Sequence, residues 1–567
     1  HAVYVISKSG ELVMEMKAEG ENSRGGEGLF LSLFKLKNGK IAAASYSFSS
    51  RSSEQVYLTQ IPNLENNEIE EITIPLMGTD SNGFFTTGGQ ADLLLCTNAG
   101  FYDYDLESGQ QSIIFNALKY GITANSLHEV TILSDESIAI ADWLSGKMRL
   151  ARYVPYEPSE EDEPYEEIEK QALVLSTIEV DQWLSEYVAD FNRINRYHHL
   201  EVRDYSDGGR IDEDDALTRF HLDLISGNFP DIIKVSRFMP SNSYISKGIY
   251  ADLNLFIEND SSFNKADYLP GLFEAMEADG KLYEIFPIFM LRVIYGKTAD
   301  VGTEIGWTLD EFAAVLDANP DARYIIDTKT KGSFISDLVL ESFVNPHTGK
   351  INFDRDEFVK ILSVAERFPD TIPPEVDLAF IDEGVKVGDP LLWQTSVMQF
   401  FDMMFMENLS FQDKVTLKGS PSPYGNGLSF FPYSYFGITE QAKNPEGAWE
   451  FLKFTLDYFD YSIPIFLPVK LSLLDEQIEK DEKHFNDPDS FKYNPPGSKR
   501  PGSTFSEIGA DKIMEAIKAT SKVRRTNNII SNIISEEVDS YLGGQKSADS
   551  VADIIENRIG IYLAEQE

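Results

Sequence analysis

From Tyr156 to Pro164 the chain runs Tyr156-Glu157-Pro158-Ser159-Glu160-Glu161-Asp162-Glu163-Pro164, and the residue pattern differs on its two sides. Two prolines and a run of like charges keep such a segment extended and out of any core. Length makes the break decisive, because 567 residues exceed what one hydrophobic core supports. The reading is a multidomain chain: an all-β domain at 1–155, an acidic linker at 156–169 and an α/β domain at 170–567.

Before the break, short runs of Val, Ile, Leu, Phe and Tyr alternate with turn signals such as Lys37-Asn38-Gly39-Lys40, Asn98-Ala99-Gly100 and Glu107-Ser108-Gly109. A loose repeat links 36–44, 91–96 and 133–142. Its spacing of roughly 45 to 55 residues is near the period of a four-stranded propeller blade. Three blades and a hairpin fall short of the usual ring of about four to eight. The region is therefore read as propeller-like and truncated, or as an antiparallel β-domain that closes differently.

After the break, strands and helices alternate. Gln171–Ser176 reads as a buried strand, and Asp181 as the cap of a helix from Gln182 to Asn195. Leu184, Tyr187, Val188, Phe191 and Ile194 share one face of that helix. A second strand covers His199–Tyr205, and a second helix, Ala216–Ser226, ends at Gly227. A third strand follows at Asp231–Val235, giving βαβαβ, the first half of a doubly wound lobe.

A formal net charge of -44 repels nucleic-acid phosphates and anionic lipid headgroups, so nucleic acid is not expected as a partner. The basic stretch Lys522, Arg524, Arg525 falls in a predicted helix and reads as a solvated face. No apolar run reaches the roughly 18 to 20 residues of a membrane span. The start at His1, without Met, reads as a processed chain whose signal or lipid-anchor region is missing. The one cysteine, Cys96, lies in the apolar run Leu93-Leu94-Leu95 and reads as a buried thiol.

Catalytic signatures are missing from the sequence. None of the seven histidines stands in His-Glu-x-x-His, and there is neither a Gly-x-Ser-x-Gly elbow nor a phosphate-cradling loop ending in Gly-Lys-Ser/Thr. The acidic stretch Asp204–Asp215 resembles a calcium loop only in part, since Ser206 and Gly208 are poor ligands and Asp215 stands in place of the closing Glu. The expectation is a protein without enzymatic activity, cofactor or metal.

Five motifs in order carry a resemblance. They are Ser226-Gly227-Asn228-Phe229-Pro230-Asp231-Ile232, Gly248-Ile249-Tyr250-Ala251-Asp252-Leu253, Asp279–Pro287 followed by Tyr295-Gly296-Lys297, Trp307-Thr308-Leu309-Asp310-Glu311-Phe312, and Lys443–Phe454. In the fourth, Thr308 and Glu311 are placed for a capping box. The order and content resemble the extracellular solute-binding proteins of ABC importers, of the maltose and oligosaccharide type, from about residue 171 to the C-terminus. Two segments depart from the family pattern: Tyr295-Gly296-Lys297, where Tyr-Asn-Lys is common, and Ile463–Val469, where Gly-x-Leu-Pro-Val is common.

The resemblance implies a two-lobed periplasmic-binding-protein-like fold at 170–567 that captures a small solute, an oligosaccharide by preference, by hinge closure. It also implies an ABC permease as partner and an extracellular or periplasmic location, with the membrane touched only through a lipid anchor absent from this chain. Two alternatives stay open: a surface sensor or adhesin that binds a glycan or protein through the β-domain, and a glycan-active enzyme.

In such a fold, ligand meets loops at the carboxyl ends of strands. Sugars combine apolar faces with rims of hydroxyls, so aromatic platforms beside hydrogen-bonding groups suit them. The candidates are Ser176, Arg237, Phe289, Trp393, Gln394, Tyr424, Asn426, Phe431, Tyr433 and Tyr435. In an extended strand Phe431, Tyr433 and Tyr435 share one face and Phe430, Pro432, Ser434 and Phe436 the other, and one of those faces must pack as core.

Overall fold

The structure, a computed structural model, describes residues 170–567 except 207–212, 237–238, 323–324, 327–328, 373–389, 401, 459–465, 488–489, 491–508, 526 and 567. Below 170 it describes 2–6, 9, 11–17, 29–35, 41–48, 55–63, 68–75, 85–87, 93–97, 100–105, 108, 110–116, 118–122, 127–132, 138–144 and 147–152. The expected linker at 156–169, the turn Lys37–Lys40, the middle of the acidic stretch, Arg237 and Ile463–Ile465 lie outside the described residues. Two compact units are formed, His1–Ile233 and Lys234–Glu567.

The first unit begins with antiparallel meanders. Strands β1 (Ala2–Ile6) and β2 (Leu12–Lys17) pair with each other. Strands β3 (Leu29–Lys35), β4 (Ile41–Phe48), β5 (Gln55–Asn63) and β6 (Glu68–Pro75) form one sheet in sequence order. A second sheet holds β7 (Phe85–Thr87), β8 (Leu93–Thr97), β9 (Gly100–Tyr104) and β10 (Gln111–Phe115). A third holds β11 (Leu127–Ile132), β12 (Ile138–Leu144) and β13 (Lys147–Arg152). The first strands of these three sheets are neighbours, β7 lying against both β3 and β11. The described strands do not show a closed ring.

The same unit continues into the βαβαβ segment. Strands β14 (Gln171–Thr177), β15 (His198–Asp204) and β16 (Ile232–Lys234) are parallel, with β14 between the other two. Helix α1 (Gln182–Ile194) starts at Asp181, whose carboxylate accepts from Leu184 N at 2.8 Å, and buries Leu184, Tyr187, Val188 and Phe191. Ile194, expected on the same buried face, is 59% exposed because it closes the last turn. Helix α2 (Glu213–Ile225) stops at Gly227, whose φ of +81° is the left-handed conformation that the sequence signal requires.

One buried asparagine joins the β-rich part to this segment. Asn192, on α1, donates through Nδ2 to Leu118 O at 3.0 Å and to Leu200 O at 3.1 Å, and accepts from Leu200 N at 2.6 Å. An unpaired buried amide is costly, so this triple use fixes the turn after β10 against α1.

The second unit opens with helix α3 (Ser241–Ser246) and a small hairpin, β17 (Glu277–Ala278) with β18 (Lys281–Leu282). Its main sheet is built on β19 (Ile288–Lys297). Strand β20 (Leu392–Val397) pairs along one edge, and β21 (Val415–Lys418), β22 (Ser429–Tyr433) and β24 (Leu467–Pro468) pair antiparallel elsewhere along β19. A short strand β23 (Phe436–Ile438) follows β22 after Ser434, whose φ of 52° bends the chain at the cost of about 1 kcal/mol.

Directly paired residues of an antiparallel sheet project to the same side, so the register defines two faces. Phe289, Leu291, Val293 and Tyr295 of β19 stand with Trp393 and Val397 of β20 and Phe430 of β22 on one face, and nearly all are buried. The opposite face carries Met290 and Arg292 with Gln394, Ser396, Ser429 and Phe431.

Helices complete the unit. Helix α4 (Leu309–Ala318) has the capping box expected at Thr308 and Glu311. It packs with α5 (Lys331–Phe343) around Phe312, Phe334 and Phe368, with Phe334 and Phe368 stacked at 4.3 Å. Helix α6 (Pro445–Asp457) starts with Pro445 after the Asn444 cap, which accepts from Gly447 N at 2.9 Å. Later helices are α7 (Leu471–Asn486), α8 (Ala510–Ala519), α9 (Asn528–Leu542) and α10 (Ala548–Gln566).

The structure corrects the reading of the basic stretch. Lys522–Arg525 is extended between α8 and α9, and it flanks β22: Phe430 N donates to Lys522 O at 3.0 Å and Arg524 N to Phe430 O at 2.8 Å. The helix ends at Thr520, whose hydroxyl turns back to Ala516 O, and β-branched Val523 then packs into the core. Far from forming a solvated face, the Arg524 and Arg525 side chains are 13% and 8% exposed.

Candidate ligand-binding face

Strand β22 is buried at Ser429, Phe430 and Pro432 and half-buried at Phe431 and Tyr433. Phe431 and Tyr433 are half-buried, as is Tyr435 just beyond, whereas Phe430, Pro432 and Ser434 are buried. Past Phe430 the less buried side of the strand is therefore the one carrying Phe431. Arg524 lies over the Phe431 ring at 5.4 Å and Arg525 over the Tyr435 ring at 5.5 Å. Tyr433 stacks on Phe466 at 4.4 Å between centroids.

Each arginine is held by carboxylates. Arg525 meets Glu284 at 2.5 Å and Ser241 Oγ at 3.1 Å, and Ser241 donates to the same Glu284. Glu284 is fully buried. Burial works against the Arg525 charge, but Glu284 beside it raises its pKa, so Arg525 stays charged. Around it, burial pushes Tyr435 up to about 12 and Tyr250 well above the usual phenol range, and among the described residues the Tyr250 hydroxyl has no hydrogen-bond partner. Arg524 pairs with Glu341 and, at 3.5 Å, with Asp337, both on α5, while Lys329 also pairs with Asp337.

The sequence candidates separate into groups. Gln394 joins Phe431 on one side of the sheet through the register with Ile294, Tyr433 continues that side, and Tyr435 follows after the bend at Ser434. Trp393 stands on the opposite face, paired with Tyr295. Phe289 also lies there, fully buried and packed against Phe286 and Phe430, which makes it core, whereas Trp393 is half-buried. Tyr424 and Asn426 sit in the turn between β21 and β22. Tyr424 is 50% exposed and donates to Asp354 at 3.2 Å, and Asn426 ties the turn to Trp307 N and Ala519 O. Ser176 is buried at the end of β14, beside Tyr205. Arg237 lies outside the described residues. Sequence reasoning missed Arg292, Met290, Ser429 and the two arginines of the 522–525 strap.

A second buried group bears on stability. Asp402 accepts from Met398 N at 2.8 Å and Gln399 N at 3.0 Å, and Asp481 of α7 accepts from the next amide, Phe400 N, at 3.3 Å. Burial, and for Asp481 also the Asp402 charge, pushes each carboxyl up to about 6. A folded-state pKa above the unfolded value gives stability that is present at low pH and lost as pH rises through about 4 to 6. His347 has the opposite sign, since burial lowers it to about 4. Asp481→Asn is therefore compared with wild type at each pH by urea denaturation. The variant should lose less stability between pH 4 and 6, by about 2 to 3 kcal/mol; parallel pH profiles would show that Asp481 does not titrate there.

Among the described residues no group of three or more His, Cys, Asp or Glu side chains is placed to hold a metal, and no helix is long and apolar enough to cross a membrane.

No protein-family model and no curated protein matches the chain. Among solved structures, it is similar to an ABC substrate-binding protein of Listeria monocytogenes in complex with cycloalternan, with 15% identity and a TM-score of 0.41 over 70% of this chain and 99% of that one. It is also similar to the sugar-binding protein MalE of Xanthomonas citri, with 14% identity and a TM-score of 0.45 over 70% and 98%. A cyclic alpha-maltosyl-1,6-maltose binding protein of Arthrobacter globiformis shares 16% identity, with a TM-score of 0.43 over 70% and 100%.

Proposed function

We propose that the chain is the extracytoplasmic solute-binding component of an ABC importer, and that it captures an oligosaccharide. The observation that carries this reading is the half-buried pair Phe431 and Tyr433 on the same side of the β19 sheet as Gln394 and Arg292, with half-buried Tyr435 just beyond the bend at Ser434. Aromatic rings beside fixed hydrogen-bonding groups match the alternating apolar and hydroxyl surfaces of a sugar chain. The ordered motifs support the same reading, because the Thr308 capping box, the Gly227 turn and the Pro445 helix start all form at their expected places. Ligand would act by preferring a closed form and shifting the population toward it, the form a permease then engages.

Within this reading the β-rich part is propeller-like, on the ground that β3, β7 and β11 lie side by side at the head of successive meanders.

Phe431→Ala is expected to weaken saccharide binding by about 10- to 100-fold, the equivalent of losing one stacking platform, while stability stays within about 1 to 2 kcal/mol of wild type. Calorimetric titration with the best-binding saccharide checks it. Unchanged affinity in a folded variant would remove the aromatic row from the site.

A further inference from the structure

We infer that a divalent cation, calcium by preference, is held between Asp402 and Asp481, with the side-chain amide oxygen of Gln477 as a third ligand. Two carboxylates alone do not make such a site. What distinguishes this pair is the set of buried groups around it that have nothing to bond.

Three elements bring the groups together. The turn after β20 presents successive amides: Met398 N and Gln399 N donate to Oδ2 of Asp402 at 2.8 and 3.0 Å, and Phe400 N donates to Oδ2 of Asp481 at 3.3 Å. One carboxylate is thereby set beside the other, and the Asp402 charge acts on Asp481. All three bonds use Oδ2, so among the described residues Oδ1 of each carboxylate accepts no hydrogen bond. Gln477 lies one turn before Asp481 on α7, and the two share the buried face of that helix with Leu474 and Phe485. From β19, Tyr295 comes close enough for the Asp402 charge to act on its hydroxyl.

Neither charge nor hydrogen bonding is complete there. Among the described residues no Lys, Arg or His pairs with either carboxylate, and burial pushes both up to about 6, so at pH 7.5 two negative charges stand together. Gln477 is 1% exposed, and neither the oxygen nor the nitrogen of its amide has a partner. The Tyr295 hydroxyl, on a fully buried side chain, has none either. Neighbouring buried anions and an unpaired buried amide are each unfavourable unless something answers them. A dication does so at one stroke: it balances the two carboxylates through their Oδ1 atoms and takes the Gln477 oxygen, and a water of its shell would serve Tyr295. The donors are all oxygen, without thiol or imidazole, which suits calcium; water completes the about six to eight ligands it takes in flexible geometry. Half-buried Asp402 gives the ion a way in. Tyr295 and Phe431 stand on opposite sides of the sheet, so the inference is independent of the saccharide reading.

The test is calorimetric titration of the whole chain, stripped with EDTA and dialysed at pH 7.5, with the chlorides of calcium, magnesium, zinc and potassium. One calcium per chain should bind, at least about tenfold more tightly than the other ions, and raise the melting temperature. Asp481→Asn and Gln477→Met should each weaken calcium at least about tenfold. Gln477→Met removes the amide and keeps the length of the side chain, so its calcium-free form should melt no lower than wild type. That variant keeps the test open if Asp481→Asn folds poorly. Absence of calcium binding overturns the inference. Calcium affinity unchanged in the folded variants also overturns it, by placing the ion elsewhere, and so does magnesium, zinc or potassium binding as tightly as calcium.

Discussion

Glu284→Ala should lower the stability of the second unit by about 3 to 5 kcal/mol, because it leaves Arg525 charged and buried with nothing to balance it. The Glu284 side chain is 0% exposed and that of Arg525 8%, so water cannot screen the loss. Ser241 Oγ would also lose its acceptor, and Arg525 would keep uncharged partners among the described residues, Ser241 Oγ, Met276 Sδ and the Tyr435 ring. Urea denaturation followed by tryptophan fluorescence measures the effect. Replacing both members, Glu284→Met with Arg525→Met, should cost much less, since two buried charges then disappear together. If the single and double variants lose equal stability, the pair is not the element that matters, and packing alone explains the site.

Gly427→Ala is expected to be comparably severe, at about 3 to 5 kcal/mol. Gly427 has a φ of +71°, and a Cβ there would stand 1.8 Å from the Ser420 carbonyl oxygen. That atom is backbone and cannot rotate away. Opposite it, a Cβ on Gly419 would stand 2.2 Å from the Gly427 carbonyl carbon, so the two glycines let the chain segments touch before β22 begins. Ser420 N donates to Gly427 O at 3.0 Å across this neck, and Gly419 O accepts from Trp307 Nε1 at 2.7 Å. Distortion here would shift the start of β22 and with it Phe431, so saccharide affinity should fall together with stability. A variant within about 1 kcal/mol of wild type would show that the neck has slack that its contacts do not suggest.

How far the sequence was legible depends on the range of the interactions involved. Signals confined to one turn were readable: Asp181 and Thr308 cap helices, Gly227 takes a left-handed φ, and Pro445 opens its helix. Alternation along one strand also told which of Phe430 and Phe431 shares a face with Tyr433. What alternation could not supply was the partner strand. Trp393 and Gln394 are neighbours in sequence, yet pairing with Tyr295 and Ile294 sends them to opposite faces, and only the register of β19 with β20 decides which. Phe289 fell to the core face for the same reason.

The strap at Lys522–Arg525 was misread because charge density suggested a surface. Its local cues pointed the other way: Thr520 ends one helix, Asn527 caps the next, and a β-branched Val523 separates the charged residues. The ion pairs that bury its arginines come from residues far away in sequence, Glu284, Asp337 and Glu341, which no local pattern reveals.

The measurement that bears most directly on the proposed function is a thermal-shift screen of the intact chain against mono- and oligosaccharides, neutral and acidic, with peptides and polyamines beside them. A saccharide held by the folded protein at about 100 times its Kd adds about 2.7 kcal/mol of stability. The expected result is a raised melting temperature with at least one oligosaccharide, abolished or reduced in Phe431→Ala. A shift with peptides or polyamines and with no saccharide would contradict the carbohydrate reading. A saccharide shift unchanged by Phe431→Ala would contradict the site.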